Sequence, residues 1–160
     1  MEVKTITLFP MPQAIRKQRE AENLRDKKGR ILVVLTGGTI GSSYSDGVRG
    51  ISDDSPYILM REFRRAFPDY AACEFDVVNP YSILSENLTC GVWSTLYRTL
   101  YNALDGASES SRDHHYDGVI VTHGSDTLAY TAAALGMLMR HTSLPIVLTA
   151  ADRPANDATS

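Results

Sequence analysis

The sequence predicts an α/β protein built on a doubly wound, mostly parallel sheet with helices on both faces. Three observations predict it. Short, almost wholly apolar runs recur along the chain, as buried parallel strands require. Stretches with helical spacing of apolar residues alternate with them. Each apolar run ends in a loop rich in Gly, Ser, Thr, Asp or Asn, which suits the carboxyl edge of such a sheet.

The elements follow in order. Ile31–Thr36 reads as a buried strand ending at Gly37-Gly38. The mixed Ser, Gly and Asp stretch from Gly41 to Asp53 reads as a long loop, of the kind that forms lids. Asp54-Ser55-Pro56 is a helix start, with a capping residue and then proline at the first turn. Leu59, Phe63, Ala66 and Phe67 continue at helical spacing up to Pro68. Phe75–Val78 suits a second strand. Thr89 can cap a helix with Val92, Trp93, Leu96, Leu100, Ala103 and Leu104 on one face. Gly106–Asp113 is a Ser-rich loop, and Gly118–Thr122 is another buried strand. Ser125 or Asp126 opens an Ala/Leu-rich helix reaching Arg140, Pro145–Thr149 forms a further strand, and Ala150–Ser160 is loop-like. Right-handed crossovers turn this order into a three-layer, Rossmann-like arrangement.

A chain of 160 residues suffices for one core, and 43% apolar with 22% charged content is ordinary for a globular protein. No apolar run approaches the ~20 residues of a membrane span. The N-terminus lacks signal-peptide form, because Pro10 and Pro12 break its apolar stretch and the basic residues follow it. The expected compartment is cytoplasmic, with no membrane partner. Cys73 and Cys90 lack metal-type spacing and read as free thiols, and no Cys/His cluster implies a metal. Charge is uneven. Residues 1–30 carry a balance of +4 and the remainder −7, so the main body lacks the basic surface of a nucleic-acid binder. Residues 1–29 read as a basic, solvated extension, within which Gln13–Arg30 suits a helix.

Three loops carry chemistry. In Thr36-Gly37-Gly38-Thr39-Ile40-Gly41, paired glycines let the backbone approach a ligand closely. The lysine of a phosphate loop and the Gly-x-Gly-x-x-Gly dinucleotide pattern are both absent. Thr39 is either part of a structural turn or a hydroxyl held above a strand. In His123-Gly124-Ser125-Asp126-Thr127, a helix start favours a developing oxyanion, Ser125 offers a hydroxyl, and Asp126 accepts from an ammonium. The alternative is an ordinary helix cap. His123 reads as packed or backbone-bonded, since no serine stands at Gly-x-Ser-x-Gly spacing. In Leu84-Ser85-Glu86-Asn87-Leu88-Thr89, Ser85 and Glu86 gain meaning only beside the other two loops.

Taken in order, Gly-Gly-Thr-Ile-Gly, Ser-Glu-Asn-Leu-Thr before a Trp-containing helix, His-Gly-Ser-Asp-Thr and Ala-Asp-Arg-Pro resemble the asparaginase–glutaminase family over about residues 30–157. The resemblance implies hydrolysis of L-asparagine to L-aspartate and ammonia. Thr39 takes the nucleophile position, with Ser125 and Asp126 as catalytic partners. Ser85 and Glu86 hold the amino-acid ends of the substrate. Gly38 and Gly124 are substrate-binding positions, and backbone N–H groups around Gly38 and Ser125 form the oxyanion hole. Ser125 stands where the family more often has threonine. No cofactor or metal is implied, the partner is a small amino acid, and family members form homo-oligomers.

The chain departs from the family pattern in two places. The family's second catalytic group includes a lysine, yet all four lysines here lie in the first 30 residues. That lysine and the family's smaller C-terminal domain are expected beyond Ser160, so residues 30–160 read as a truncated N-terminal domain. The family's lid tyrosine is not clearly placed; Tyr44 is nearest but at shorter spacing. Alternatives of the same fold are a non-catalytic amino-acid- or partner-binding fragment, and an ammonia-producing subunit of a tRNA-dependent amidotransferase. The latter usually carries a β-rich domain in front, for which the extension is short.

Overall fold

The computed structural model describes residues 3–7, 29–38, 42–45, 48–51, 55–70, 72–105 and 116–151. The main sheet contains β1 (Val3–Thr7), β2 (Arg30–Leu35), β5 (Glu74–Val78), β6 (Gly118–Thr122) and β7 (Ile146–Ala151). Its order is β1-β7-β6-β2-β5, and only β1 runs antiparallel. The helices are α1 (Ser55–Ala66), α2 (Cys90–Asp105) and α3 (Leu128–Leu138). From β2 the chain steps outward to β5, then back past β2 to β6 and on to β7. Right-handed crossovers therefore place α1 on one face and α2 with α3 on the other.

The core explains the apolar strands. Leu32, Val34, Val119, Val121, Ile146 and Leu148 pack against Leu96 and Leu100 of α2 and Leu128, Ala132 and Leu135 of α3. On the α1 side, Phe63 meets Phe75 edge to face, with ring centroids 5.1 Å apart. The amino edge is tied by Arg30, whose Nε and a terminal nitrogen reach Asp76 Oδ2 at 2.9 and 2.8 Å. Tyr116 donates to the same oxygen at 2.9 Å.

Four elements differ from expectation. The stretch read as a loop after Gly41 contains a hairpin of β3 (Ser42–Ser45) and β4 (Val48–Ile51), paired from Ser42↔Ile51 to Ser45↔Val48. Its sequence signal is Asp46-Gly47, a two-residue hairpin dipeptide. Within the basic extension, Val3–Thr7 forms β1 along β7, in register from Val3↔Ala151 to Thr7↔Val147. Strand β7 runs two residues beyond Thr149, through Ala150 and Ala151, because β1 pairs with both. Helix α3 starts at Leu128, after a turn at residues 125–127, for a reason that lies in the site. The predicted helix within Gln13–Arg30, the loop at Gly106–Asp113 and the end of the chain after Ala151 fall outside the described residues, except that Gly29 precedes β2 and Arg30 begins it.

Candidate active site

Backbone contact joins the carboxyl ends of β2 and β6 to the loop after β5. Gly37 and Gly38 have φ of 95° and 73°, a region L side chains rarely adopt. Gly37 bridges to Ile83: Gly38 N–H donates to Ile83 O at 3.1 Å, and Ile83 N–H donates to Thr36 O at 3.2 Å. The Thr36 hydroxyl donates to Thr122 O at 2.7 Å, tying β2 to β6.

Close approach then continues from glycine to glycine. A Cβ on Gly38 would stand 2.6 Å from Gly124 N and 2.7 Å from its Cα. A Cβ on Gly124 would collide with Oγ and Cβ of Ser85. Three loops thus meet in the row Gly38, Gly124, Ser85, and no larger residue fits at either glycine without moving backbone or Ser85.

Ser85 is 4% exposed and opens a short 3₁₀ turn, Ser85–Asn87. Its hydroxyl donates to Asp126 Oδ2 at 3.0 Å, and the Thr127 hydroxyl donates to Ser85 O at 3.1 Å. These two bonds correct the expected helix start at Ser125 or Asp126. Thr127 occupies the cap position instead and makes no side-chain cap bond. Asp126 and Thr127 are spent on the Ser85 loop. Ser125 is half-buried, while Asp126 and Glu86 are exposed at the rim. Ser85, Gly38, Gly124, Ser125 and Asp126 are therefore brought together, with Glu86 one residue away. Thr39, with Ile40 and Gly41, lies outside the described residues, as does Asp152-Arg153-Pro154.

His123 is 2% exposed and bonded at both ring nitrogens. Nδ1 lies 2.9 Å from Gly124 O, and Nε2 lies 3.0 Å from Thr131 Oγ1. Burial lowers its pKa from the usual 6.5, and the bond to Gly124 opposes that only in part. A neutral, engaged imidazole suits a structural part. Trp93 Nε1–H donates to Thr131 Oγ1 at 3.0 Å. Sequence reasoning places Trp93 on the apolar face of its helix and misses Thr131. The one signal for it is a hydroxyl residue within an otherwise Ala/Leu-rich helix.

Tyr81 is a second residue that sequence reasoning misses. Burial pushes its hydroxyl up to about 12, and the nearby Thr36 hydroxyl opposes this in part. Thr36 spends its proton on Thr122 O, and the Tyr81 oxygen is buried with no hydrogen-bond partner in good geometry. An open cleft of about 290 Å³ adjoins the site, with Leu88, Trp93 and Tyr130 as its apolar wall and Ser85, Glu86 and Thr127 along its polar side. Among the described residues no group of three or more His, Cys, Asp or Glu is placed to hold a metal ion, and both cysteines are free thiols. No described helix is long and apolar enough to cross a membrane.

The chain is similar to known proteins over most of its length. The L-asparaginase of Thermococcus kodakarensis is 33% identical over 133 residues, covering 82% of this chain and 36% of that protein. A glutamyl-tRNA(Gln) amidotransferase subunit from Methanosphaera stadtmanae is 34% identical over 146 residues, covering 86% of this chain and 30% of that one. The chain thus spans about a third of the length of these curated relatives. Among solved structures, the thermostable L-asparaginase of T. kodakarensis aligns with a TM-score of 0.51 at 29% identity, covering 66% of this chain and 29% of the other. L-asparaginase I of Vibrio cholerae aligns with a TM-score of 0.51 at 28% identity, covering 68% and 30%. The family profile described as "Asparaginase, N-terminal" matches residues 30–160, and the chain belongs to the asparaginase family.

Proposed function

We propose that residues 30–160 form the N-terminal part of an amidohydrolase that converts L-asparagine and water to L-aspartate and ammonia, with Thr39 as nucleophile. The observation that carries this reading is the row Gly38, Gly124, Ser85 with Asp126 bonded to its end. Thr39 follows directly on Gly38, the residue wedged against Gly124. Its Oγ attacks the side-chain amide carbon, the carbonyl oxygen takes up negative charge, and backbone N–H groups around Gly38 and Ser125 stabilise it, the Gly38 N–H itself being held by Ile83 O. Such donors are typically worth ~3–4 kcal/mol each. Ammonia leaves with the proton lost by Thr39, and water then cleaves the ester to release aspartate. Asp126 holds the α-ammonium group, and Ser85 and Glu86 hold the rest of the amino-acid end.

On this reading the lysine of the second catalytic group and the smaller domain come from sequence outside these 160 residues, since Ile31–Ser160 contains no lysine. Residues 1–29 are then an addition in front of the domain, the working unit is a homo-oligomer, and the protein acts in the cytoplasm. A second reading makes the same chemistry an ammonia source for a tRNA-dependent amidotransferase. Identity to the amidotransferase relative supports it as well as identity to L-asparaginase supports the first. Asparagine and glutamine differ by one methylene, worth only ~1–3 kcal/mol in a pocket.

The test is ammonia release from L-asparagine and L-glutamine by the 160-residue chain, with Thr39→Ala as control. Release that Thr39→Ala abolishes supports the nucleophile. Release that survives Thr39→Ala overturns it. Saturable asparagine binding without release means that part of the pocket is here while turnover needs the lysine and smaller domain from outside these 160 residues.

A further inference from the structure

The bonds around His123 admit one arrangement of hydrogens. A carbonyl oxygen only accepts, so the Nδ1 facing Gly124 O carries the ring proton. In the neutral ring Nε2 is then a bare acceptor, and the Thr131 hydroxyl must donate to it. Thr131 Oγ1 in turn accepts the indole N–H of Trp93, a group that only donates. The relay runs in one direction, from Trp93 to Thr131 to His123 to Gly124 O. Its direction is set at both ends, because an indole only gives and a carbonyl only takes.

That relay ends on a peptide that matters. Among the described residues no peptide bond is cis, so the Gly124 carbonyl and the Ser125 N–H point in opposite directions. Holding the carbonyl against the imidazole turns the Ser125 N–H away from the ring. Among the described residues no backbone or side-chain acceptor takes that N–H. A peptide plane beside glycine turns more cheaply than any other, so a lock is needed at this place. The backbone of the ring-bearing residue is itself fixed, because His123 N–H donates to Thr149 O of β7 at 2.8 Å.

We propose that Trp93, Thr131 and His123 are positioning residues that lock the Gly124–Ser125 peptide, presenting the Ser125 N–H to an anionic oxygen of the amino-acid ligand; this rests on the reading of the loop as an amide and carboxylate site. They act through the peptide and touch no reacting atom. Two of the three lie on helices, whose packing into the core sets the ring's orientation.

The test compares Thr131→Val, which keeps shape and removes the hydroxyl, with Thr131→Ser, which keeps the hydroxyl. Long-range ¹H–¹⁵N NMR on the full chain reads the His123 tautomer and the Ser125 amide, and fluorescence of Trp93, the single tryptophan, reads binding of L-aspartate. The wild type and Thr131→Ser are expected to show one Nδ1–H tautomer. Thr131→Val is expected to mix tautomers, shift the Ser125 amide and weaken aspartate about fivefold, the worth of one net hydrogen bond. An Nε2–H tautomer in the wild type overturns the proposal. So does a Thr131→Val chain with unchanged tautomer and affinity. If Thr131→Val does not fold, His123→Asn and His123→Leu replace it. The asparagine amide reaches the place of Nδ1 and should keep the Ser125 amide signal, whereas leucine should lose it, and equal signals overturn the lock. A wild type that binds no aspartate, while its Ser125 amide still responds to Thr131→Val, leaves the lock standing and counts against the amidohydrolase reading.

Discussion

The Ser85 hydroxyl donates to Oδ2 of Asp126 across 3.0 Å, joining two loops 41 residues apart in sequence. The bond holds a carboxylate at the rim while its donor is buried. Ser85→Ala removes it and leaves Asp126 free to swing into water. The expected result is a stability loss of about 1 kcal/mol in urea denaturation and a larger relative loss in L-aspartate affinity. Unchanged affinity would mean that Asp126 is not held there for a ligand.

Gly38 combines a φ of 73° with backbone contact to Gly124. Gly38→Ala strains the turn and pushes the two loops apart. Together these should cost about 2 kcal/mol or more. Thermal denaturation checks the loss, and a Gly38→Ala chain as stable as the wild type would mean that the loops separate freely.

His123 gives stability a sign with pH. Its folded pKa lies below the usual 6.5 because burial penalises the imidazolium. Between the folded value and 6.5 the unfolded chain binds more protons, so stability rises with pH through that window. The contribution is fully present above 6.5 and is lost as pH falls toward the folded pKa. Urea denaturation from pH 7.5 to about 5 should show this slope, and His123→Asn should flatten it. A slope unaltered by that substitution assigns the acid loss to other groups.

Tyr81 sets the opposite limb. Its pKa of about 12 lies above the ordinary 10, so the folded chain binds more protons between those values and loses stability as pH rises through them. Tyr81→Phe removes both the ionisation and a buried hydroxyl without a partner. It is expected to raise the melting temperature at neutral pH and to remove the alkaline loss. A lower melting temperature would show that the hydroxyl is satisfied in solution.

The parallel strands were legible because burial on both faces forces continuous apolar runs, as at Ile31–Leu35 and Gly118–Thr122. Strand β1 was not, although Val3, Thr5, Ile6 and Thr7 favour strands. Five residues interrupted by Lys4 carry little periodicity, and their partner lies at the far end of the sequence. At the start of α3, local rules read Ser125 or Asp126 as the helix opening, because both are capping types. They could not see Ser85, which engages Asp126 and Thr127 from another loop. The pair Gly37-Gly38 was readable as a close-approach position, whereas Gly124 entered only through the family resemblance. That one glycine packs on the other is a property of the fold, as is the meeting of Trp93 with Thr131 across 38 residues.

Strand β1 lies outside residues 30–160, the stretch shared with the family, yet it covers the outer edge of β7. A version trimmed to the family boundary would bare the unpaired N–H and C=O groups along Ile146–Ala151, a strand whose Ile146, Leu148 and Ala150 are wholly buried. Bare edges of that kind recruit strands from neighbouring molecules. The first seven residues thus bear on whether the protein stays dispersed at high concentration, and shortening it to its recognisable domain invites precipitation.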